Sequence, residues 1–198
     1  VFKDIKNDYS VAFASSFASE FKKLGGQIVA EQVFQEGDTD FKAQLTTLKA
    51  ANPDAVLIPG YYSEVGTVAR QAREVGLTVP LLGGDGWDSP RLIPGAGGPG
   101  GALEGCFFSD HYFSPELKDK TTQTFLTAFE KKYSQKPDAI AALSYDAARV
   151  LVNAIARCPK LDSTALRDAI AATRDFPGVT GKITFDANRN ARKAALVF

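Results

Sequence analysis

The chain has 198 residues, of which 44% are hydrophobic, so it can bury a substantial core as one large domain or as two small lobes. It carries 23 Lys and Arg and 23 Asp and Glu, and this neutral balance argues against a broad electrostatic surface for nucleic acid or for an anionic membrane. No apolar run approaches the ~20 residues that span a bilayer. The sequence begins at Val1 and contains no Met, so we expect a processed or cut N-terminus without a signal peptide.

Helix and strand signals alternate over the first 110 residues. Apolar spacing predicts a first helix over 9–24, which Gly25-Gly26 ends, followed by a strand over 27–34. A second helix, capped by Thr39 or Asp40, ends before Pro53, because the residue preceding a proline resists helical geometry. The residues predicted to face inward on these two helices are Phe13, Phe17, Phe21 and Leu24, then Phe41, Leu45 and Leu48.

Two further strands, over 54–58 and 80–82, flank a third helix that Ser63 caps and Gly76 ends. The apolar run over 54–58 is typical of a central parallel strand that is covered on both faces. A glycine-rich stretch over 95–101, expected as a loop, precedes a strand over 103–109. Repeated strand–helix units of this length predict an α/β fold with a doubly wound parallel sheet and right-handed crossovers.

The pattern changes after the segment from His111 to Pro115. Three helices follow with little strand between them, and then a hairpin over 181–188 and a final strand over 194–198. Ser163 is the predicted cap of the third helix. The residues predicted to be buried on the three helices are Phe125, Phe129 and Tyr133, then Ile140, Leu143, Leu151 and Ile155, then Leu166 and Ile170. Such a set is not self-contained, and it is typical of half a lobe whose parallel strands lie elsewhere.

Motifs for catalysis or for cofactor binding are weak. His111 is the single histidine, and no nucleophile motif or clustered metal ligand accompanies it. Gly84 and Gly86 lack the third glycine of a dinucleotide fingerprint, and 95–101 lacks the Lys-Ser/Thr ending of a phosphate loop. Cys106 and Cys158 fit no metal or redox spacing, and we expect free thiols that pack as small apolar residues, although an oxidising compartment would allow a disulfide. We therefore expect no catalytic residue, no metal and no cofactor.

Aromatic and acidic residues follow three predicted strands, at the edge where open parallel sheets bind ligands. In chain order these residues are Tyr9, Tyr61, Tyr62, Asp85 and Trp87. A carboxylate that is flanked by glycines and neighboured by aromatic rings suits an ammonium group, through charge and cation–π attraction. The alternative is that the tyrosines merely cover the sheet edge and Asp85 forms a turn, and the spacing alone leaves both open.

A set of segments spread over nearly the whole chain points to a known family. The segments are Tyr9, 37–41 (GDTDF), 48–56 (LKAANPDAV), 60–64 (GYYSE), 70–77 (RQAREVGL), 83–87 (GGDGW) and 142–147 (ALSYDA). Taken together, the sequence resembles the periplasmic branched-chain amino acid binding proteins, the leucine/isoleucine/valine family with the type I periplasmic-binding fold. Members of that family have two α/β lobes joined by three crossing segments, with the ligand held in the cleft between the lobes.

The resemblance implies a division of the chain between the two lobes. Residues 1–111, with a return strand over 191–198, would form the second ligand-binding lobe, and 112–190 would form the C-terminal helical part of the first lobe. The family's N-terminal part holds the first lobe's parallel strands and the loops that grip the ligand carboxylate. Because this part is not in the sequence, we expect a missing N-terminal segment, or an upstream chain, to complete the fold.

The resemblance also implies a function and roles for individual residues. The chain would be a periplasmic or otherwise extracytoplasmic solute-binding subunit of an ABC importer, which binds an amino acid or a related small molecule by hinge closure and passes it to a membrane permease. Tyr9 and Tyr61 look like the family's ligand-contacting aromatics, and Asp85 stands where the family places an acidic partner, often Glu, for the ligand's ammonium. Tyr62 and Trp87 would either shape the side-chain pocket or serve packing. The alternative function is a ligand-sensing receptor domain of the same fold, for an amide or an aromatic acid, without transport.

Overall fold

The computed structural model describes residues 1–111 and 119–198, so most of the predicted segment from His111 to Pro115 lies outside the described residues. The chain divides into two compact units. Unit 1 consists of Val1–Ser109 together with Val197–Phe198, and unit 2 consists of Asp110–Leu196.

Unit 1 alternates strands and helices, as the sequence predicts. In chain order its elements are β1 (Phe2–Asp4), α1 (Asp8–Lys23), β2 (Gln32–Phe34), α2 (Lys42–Ala50), β3 (Val56–Leu57), α3 (Tyr62–Glu74), β4 (Leu81–Gly83), a 3-10 turn (Asp85–Trp87), α4 (Leu92–Gly95) and β5 (Phe107–Asp110). Strand β1 pairs with β2 in parallel, and β3, β4 and β5 also pair in parallel. These parallel pairs and the helices between them confirm the α/β class.

Unit 2 is mainly helical. Its elements are α5 (Lys120–Tyr133), α6 (Ala139–Arg157), α7 (Ser163–Ala171), β6 (Phe176–Gly178), β7 (Gly181–Phe185) and β8 (Ala191–Arg192). The last three strands form a small antiparallel sheet, of which the sequence predicted only the segment of β7. The chain ends with β9 (Leu196–Val197), which lies beside β5 at the edge of the four-stranded sheet.

The core of unit 1 forms around three phenylalanine rings. Phe2, Phe34 and Phe41 are at most 2% exposed, and their ring centroids lie 4.9–6.0 Å apart in edge-to-face arrangements. Helical spacing in the sequence predicts an inward face of Val65, Val68, Ala69, Ala72 and Val75 for α3. The first four of these residues are buried in the core and Val75 is partly buried against it. Each fully buried Val, Leu or Phe side chain contributes roughly 1.5–3 kcal/mol to folding, so this core fixes the strand ends that carry the site.

The predicted buried face of α1 was wrong over its second half. Ser10 and Ala14 are the buried residues of the helix, whereas Phe21 is 37% and Leu24 is 86% exposed. The predicted strand over 27–34 shortens to Gln32–Phe34, the three residues that pair with β1.

The predicted caps were also misplaced. Helix α2 begins after Phe41, later than a cap at Thr39 or Asp40 would give. Two side chains bind this start: Oδ1 of Asp40 accepts from the backbone N–H of Lys42 at 3.1 Å, and Oε1 of Gln71 on α3 accepts from the backbone N–H of Phe41 at 2.7 Å. Helix α3 begins after Tyr61 without a side-chain cap, two residues earlier than a cap at Ser63 would give. In unit 2 the cap of α7 is Asp162, which accepts from the backbone N–H of Ala165 at 2.9 Å.

The buried face of α6 is polar and small, not the large apolar face that was predicted. Its buried residues are Ala139, Ala142, Asp146, Val150 and Ala154, while Ile140, Leu151 and Ile155 are each 40–42% exposed. Asp146 lies on the buried face because its carboxylate accepts hydrogen bonds from the turn between β6 and β7. By length and composition alone, α6 is the one helix of the described chain that could cross a membrane, which the search for apolar runs in the sequence did not anticipate. Core helices of globular proteins satisfy the same criterion.

Candidate functional site

The carboxyl ends of β1, β3 and β4 bring three of the predicted site residues together in unit 1. Tyr9 is the second residue of α1, Tyr61 is the residue on which α3 begins, and Asp85 opens the 3-10 turn. Asn7 fixes the start of α1, because its Oδ1 accepts hydrogen bonds from the backbone N–H groups of Tyr9 and Ser10 at 3.0 and 3.3 Å. The sheet edge that the sequence indicates is therefore the edge at which these side chains meet.

A hydrogen-bonded pair lies at the centre of the site. The Tyr9 hydroxyl donates to Oδ1 of Asp85 at 2.8 Å, and the backbone N–H of Gly86 donates to the same hydroxyl oxygen at 3.3 Å. The hydroxyl proton of Tyr9 is therefore engaged in this hydrogen bond and is not available to a ligand. Oδ2 of Asp85 accepts no hydrogen bond from the residues that the structure describes, so it remains free to accept one from a ligand.

Burial, and after it the negative charge of Asp85, raises the pKa of the Tyr9 hydroxyl well above its usual value. Tyr9 therefore stays a neutral donor at physiological pH, and its bond holds the Asp85 carboxylate in one orientation.

Two aromatic rings form a wall beside the carboxylate. The rings of Tyr9 and Tyr61 lie 5.3 Å apart between centroids at an interplanar angle of 31°, and Phe13 supports Tyr9 from behind at 5.9 Å. Tyr61 is 38% exposed, so part of its surface remains open to solvent. An exposed aromatic face next to a carboxylate attracts a cation and also accommodates an aliphatic chain.

Glycine is needed at positions 84 and 86 for the aromatic side chains to pack this closely against the turn that carries Asp85. A Cβ added to Gly84 would lie 2.6 Å from Oη of Tyr9 and 2.3 Å from Cε1 of Phe13. A Cβ added to Gly86 would lie 2.7 Å from the carbonyl oxygen of Gly60 and 3.1 Å from Cδ1 of Tyr61. The glycines that flank Asp85 therefore make room for the tyrosines, and they do not form a phosphate loop.

A family model described as periplasmic binding protein matches residues 4–198. The chain belongs to this family. It is 28% identical over 183 residues to the "Leucine-, isoleucine-, valine-, threonine-, and alanine-binding protein" of Pseudomonas aeruginosa, covering 91% of this chain and 47% of that protein. It is also 34% identical over 93 residues to the "Leucine-specific-binding protein" of Salmonella typhimurium, covering 47% of this chain and 25% of that protein.

Solved structures agree with this membership. The leucine binding protein LivK from Thermotoga maritima is 40% identical, with a TM-score of 0.88 over 99% of this chain and 55% of that one. The branched-chain amino acid transporter substrate binding protein LivJ from Streptococcus pneumoniae, in complex with isoleucine, is 35% identical with a TM-score of 0.80, over 99% and 54%. The resemblance and the type I periplasmic-binding fold are confirmed. The chain spans about half the length of these relatives.

Two predicted residues of this periplasmic binding protein chain lie away from the open site. Trp87 is 2% exposed, its Nε1 donates to the carbonyl oxygen of Ile58 at 3.0 Å, and its ring lies directly over Gly83. Tyr62 is half-buried against the same core. These surroundings favour the alternative that Trp87 serves packing. Its indole anchors the 3-10 turn that carries Asp85 to the core.

Sequence reasoning missed two contributors to the site, Phe13 and the backbone N–H of Gly86. Phe13 lies four residues after Tyr9 in α1, so helical spacing could have placed it beneath the Tyr9 ring. The N–H of Gly86 carries no signal in the sequence, because its direction depends on the 3-10 turn.

The remaining candidates for chemistry are one histidine and two cysteines. Nδ1 of His111 lies 2.8 Å from the carbonyl oxygen of Ala194, in unit 2. Cys106 and Cys158 are free, and the sulfur of Cys106 accepts from the guanidinium of Arg73 at 3.3 Å. Within residues 1–111 and 119–198, no group of three or more His, Cys, Asp or Glu residues is placed to hold a metal ion.

Proposed function

We propose that this chain belongs to the solute-binding subunit of an ABC importer, a binder and not an enzyme, which takes up an amino acid or a closely related small molecule. The observation that carries the proposal is the Asp85 carboxylate, which has one oxygen bound by Tyr9 and the other without a hydrogen bond from the described residues, at an edge where the Tyr9 and Tyr61 rings pack together. A carboxylate oriented in this way is a receptor for an ammonium group.

The polarity of the site favours the positively charged end of a ligand. Tyr9, Tyr61, Asp85 and Gly86 offer an acceptor and aromatic faces, but they include no Lys or Arg, and the Tyr9 hydroxyl is committed to Asp85. A ligand carboxylate must therefore be held elsewhere. We assign that task to first-lobe strands that lie outside this chain, in line with its span of about half the length of its relatives.

The two units fit the lobe assignment that the resemblance implies. In this proposal unit 1 is the second lobe, with β9 as its return strand, and unit 2 is the C-terminal helical part of the first lobe. The exposed Ile140, Leu151 and Ile155 of α6 would then be covered by the N-terminal segment that completes the first lobe. The subunit would act outside the cytoplasm, close over its ligand by hinge motion and deliver it to the membrane permease.

Relatives named for leucine, isoleucine and valine support a branched-chain amino acid as the first ligand to test. Tyr9 and Tyr61 would contact its side chain, and Asp85 would bind its ammonium group. Because aspartate is a short carboxylate and Oδ1 already binds Tyr9, the ammonium must reach Oδ2 closely or through one bridging water.

The test is a thermal-shift screen of the full-length protein followed by calorimetric titration. The panel contains leucine, isoleucine, valine, aromatic amino acids, short amides, urea and aromatic carboxylates. A ligand at 100 times its dissociation constant stabilises the protein by ~2.7 kcal/mol, which moves the melting temperature measurably. Removing the charge with Asp85→Asn should weaken amino acid binding by roughly tenfold to a hundredfold, because hydrogen bonds to charged groups contribute about 1.5–3 kcal/mol.

The matched control is Asp8→Asn, which removes an exposed carboxylate from the residue next to Tyr9 without touching the pair. This control should bind amino acids with the same affinity as the unmodified protein. Amino acid affinity that is equal in Asp85→Asn and in the control would refute the role of Asp85. A response to aromatic carboxylates or amides alone would refute the amino acid ligand and leave the binding class intact.

A further inference from the structure

A largely apolar cavity lies in unit 1 at the amino ends of the strands, at the opposite ends from the candidate ligand site. Its volume is about 190 Å³, and it is lined by residues 27–30, which precede β2, and by 53–57, which lead into β3. Val1 lines it too, together with apolar side chains from two helices, Phe17 of α1 and Leu48 of α2 among them. This amino-end cavity therefore separates two chain segments that each continue into a parallel strand.

The hydrogen bonds at Val1 have the pattern of a parallel ladder. The nitrogen of Val1 donates to the carbonyl oxygen of Ala30 at 2.8 Å, and the backbone N–H of Gln32 donates to the carbonyl oxygen of Val1 at 2.9 Å. In a parallel pair, the next two bonds in this direction join the N–H of Ala30 and the carbonyl of Ile28 to a single residue, two positions before Val1. Neither group bonds to any residue that the structure describes. The pairing edge of β2 therefore extends further than β1 does.

A second pairing edge lies across the amino-end cavity. The backbone N–H of Val56 donates to the carbonyl oxygen of Pro80 at 3.0 Å, so Val56 bonds toward β4. Because N–H directions alternate along an extended chain, the N–H of Ala55 faces the other way, toward the cavity that Ala55 lines. It donates to no residue within 1–111 or 119–198. Backbone groups thus face the cavity from both sides, and such groups in folded proteins are nearly always paired.

The surroundings of Val1 favour an uncharged peptide group at its nitrogen. Burial lowers the pKa of the Val1 amino group, because desolvation disfavours its charged form, whereas a peptide N–H would make the same bond to Ala30 without that cost.

We propose that the polypeptide directly upstream of Val1 continues β1 through the amino-end cavity, as an extended strand that pairs with Ala30 on one side and with Ala55 on the other. This strand would be the last part of the N-terminal segment that the proposed function requires, and the proposal rests on that segment. Helices α1 and α2 would cover its two faces, as is usual for a central parallel strand. Pairing would also extend β2 back toward Ile28, within the strand over 27–34 that the sequence predicts.

The test is amide hydrogen exchange of the full-length protein, measured residue by residue by NMR. The amides of Ala30 and Ala55 should exchange at least about a hundredfold more slowly than the amide of Glu31, and about as slowly as that of Gln32. Glu31 is the internal control, because its N–H faces the opposite edge of β2 and donates to no described residue. Exchange at either alanine as fast as at Glu31 would overturn the proposal.

A pair of proline variants tests the same bond by stability. Ala30→Pro removes the N–H but keeps the carbonyl oxygen that binds Val1, and it should lower the urea midpoint of the full-length protein clearly. Glu31→Pro is the matched control and should lower the midpoint less, since it removes an N–H at the open edge and an exposed ion pair with Lys3. Equal midpoints in the two variants would count against the strand.

The outcome is independent of the proposed ligand, because Asp85 lies at the opposite ends of the strands. Amino acid binding together with fast exchange at Ala30 would overturn the strand alone. Slow exchange at Ala30 without a response to amino acids would support the strand and overturn the proposed ligand alone.

Discussion

Asp146 is the residue whose removal should destabilise the protein most, although it lies in no site. It is 1% exposed, and its carboxylate accepts hydrogen bonds from the backbone N–H of Val179 at 2.7 Å, the backbone N–H of Thr180 at 2.9 Å and the Thr180 hydroxyl at 2.7 Å. Arg149 lies 3.7 Å from the same carboxylate. One side chain from the middle of α6 therefore satisfies the turn between β6 and β7.

The change to test is Asp146→Ala. It leaves two buried backbone N–H groups without acceptors, at about 1–3 kcal/mol each, and relief from burying the charge offsets part of the loss. We expect a net loss of about 3–5 kcal/mol, a large share of the 5–15 kcal/mol that typically stabilises a domain. Asp146→Asn keeps one oxygen acceptor and should lose roughly half as much.

Urea denaturation measures the loss, and hydrogen exchange locates it. The amides of Val179 and Thr180 should lose protection in Asp146→Ala and keep part of it in Asp146→Asn, while amides of unit 1 change less. The single tryptophan, Trp87, lies in the core of unit 1, so its fluorescence reports that unit separately. A loss below ~1 kcal/mol in Asp146→Ala, or equal protection in both variants, would show that this network does not hold the turn.

Three further outcomes are expected. Gly84→Ala should weaken amino acid binding at least tenfold by pushing Tyr9 from Asp85, measured by calorimetry; unchanged affinity would contradict the tight approach. Because folding raises the pKa of Tyr9, its bond stabilises the protein fully below the unfolded pKa of ~10, and that stability is lost as pH rises above it. The free energy of unfolding of Tyr9→Phe should not show this loss at alkaline pH. Parallel pH profiles for the variant and the unmodified protein would refute the prediction. Gln71→Ala should cost about 1–3 kcal/mol in urea denaturation by leaving the backbone N–H of Phe41 and the carbonyl oxygen of Thr39 without their partners, and an unchanged midpoint would contradict this.

The sequence predicted which side chains meet at the sheet edge better than it predicted the ends of the helices and strands. Tyr9, Tyr61 and Asp85 meet because the carboxyl ends of parallel strands share one edge of a sheet, and that rule needs only the order of strands and helices. The buried face of α3 was predictable for a similar reason, since helical spacing alone places Val65 and Val68 on one side.

What could not be predicted depends on partners distant in sequence. Phe41, after which α2 begins, is bound by Gln71, 30 residues further along the chain, and Asp146 on the buried face of α6 binds residues more than 30 positions away. Apolar periodicity cannot detect such bonds, because it measures only the alternation of neighbouring side chains. Trp87 shows the same limit at the site, where its bond to Ile58 turns the ring into the core.

The close contacts around residues 83–87 have a consequence for engineering the specificity of this protein. Gly83 lies under the Trp87 ring, Gly84 under Tyr9 and Gly86 against the backbone of Gly60, so three of the five positions admit no side chain, each for a different steric reason. Trp87 is confined by the core that surrounds it. In a library randomised across this loop, only position 85 would therefore tolerate substitution. The charge of the loop is determined by the residue at that one position.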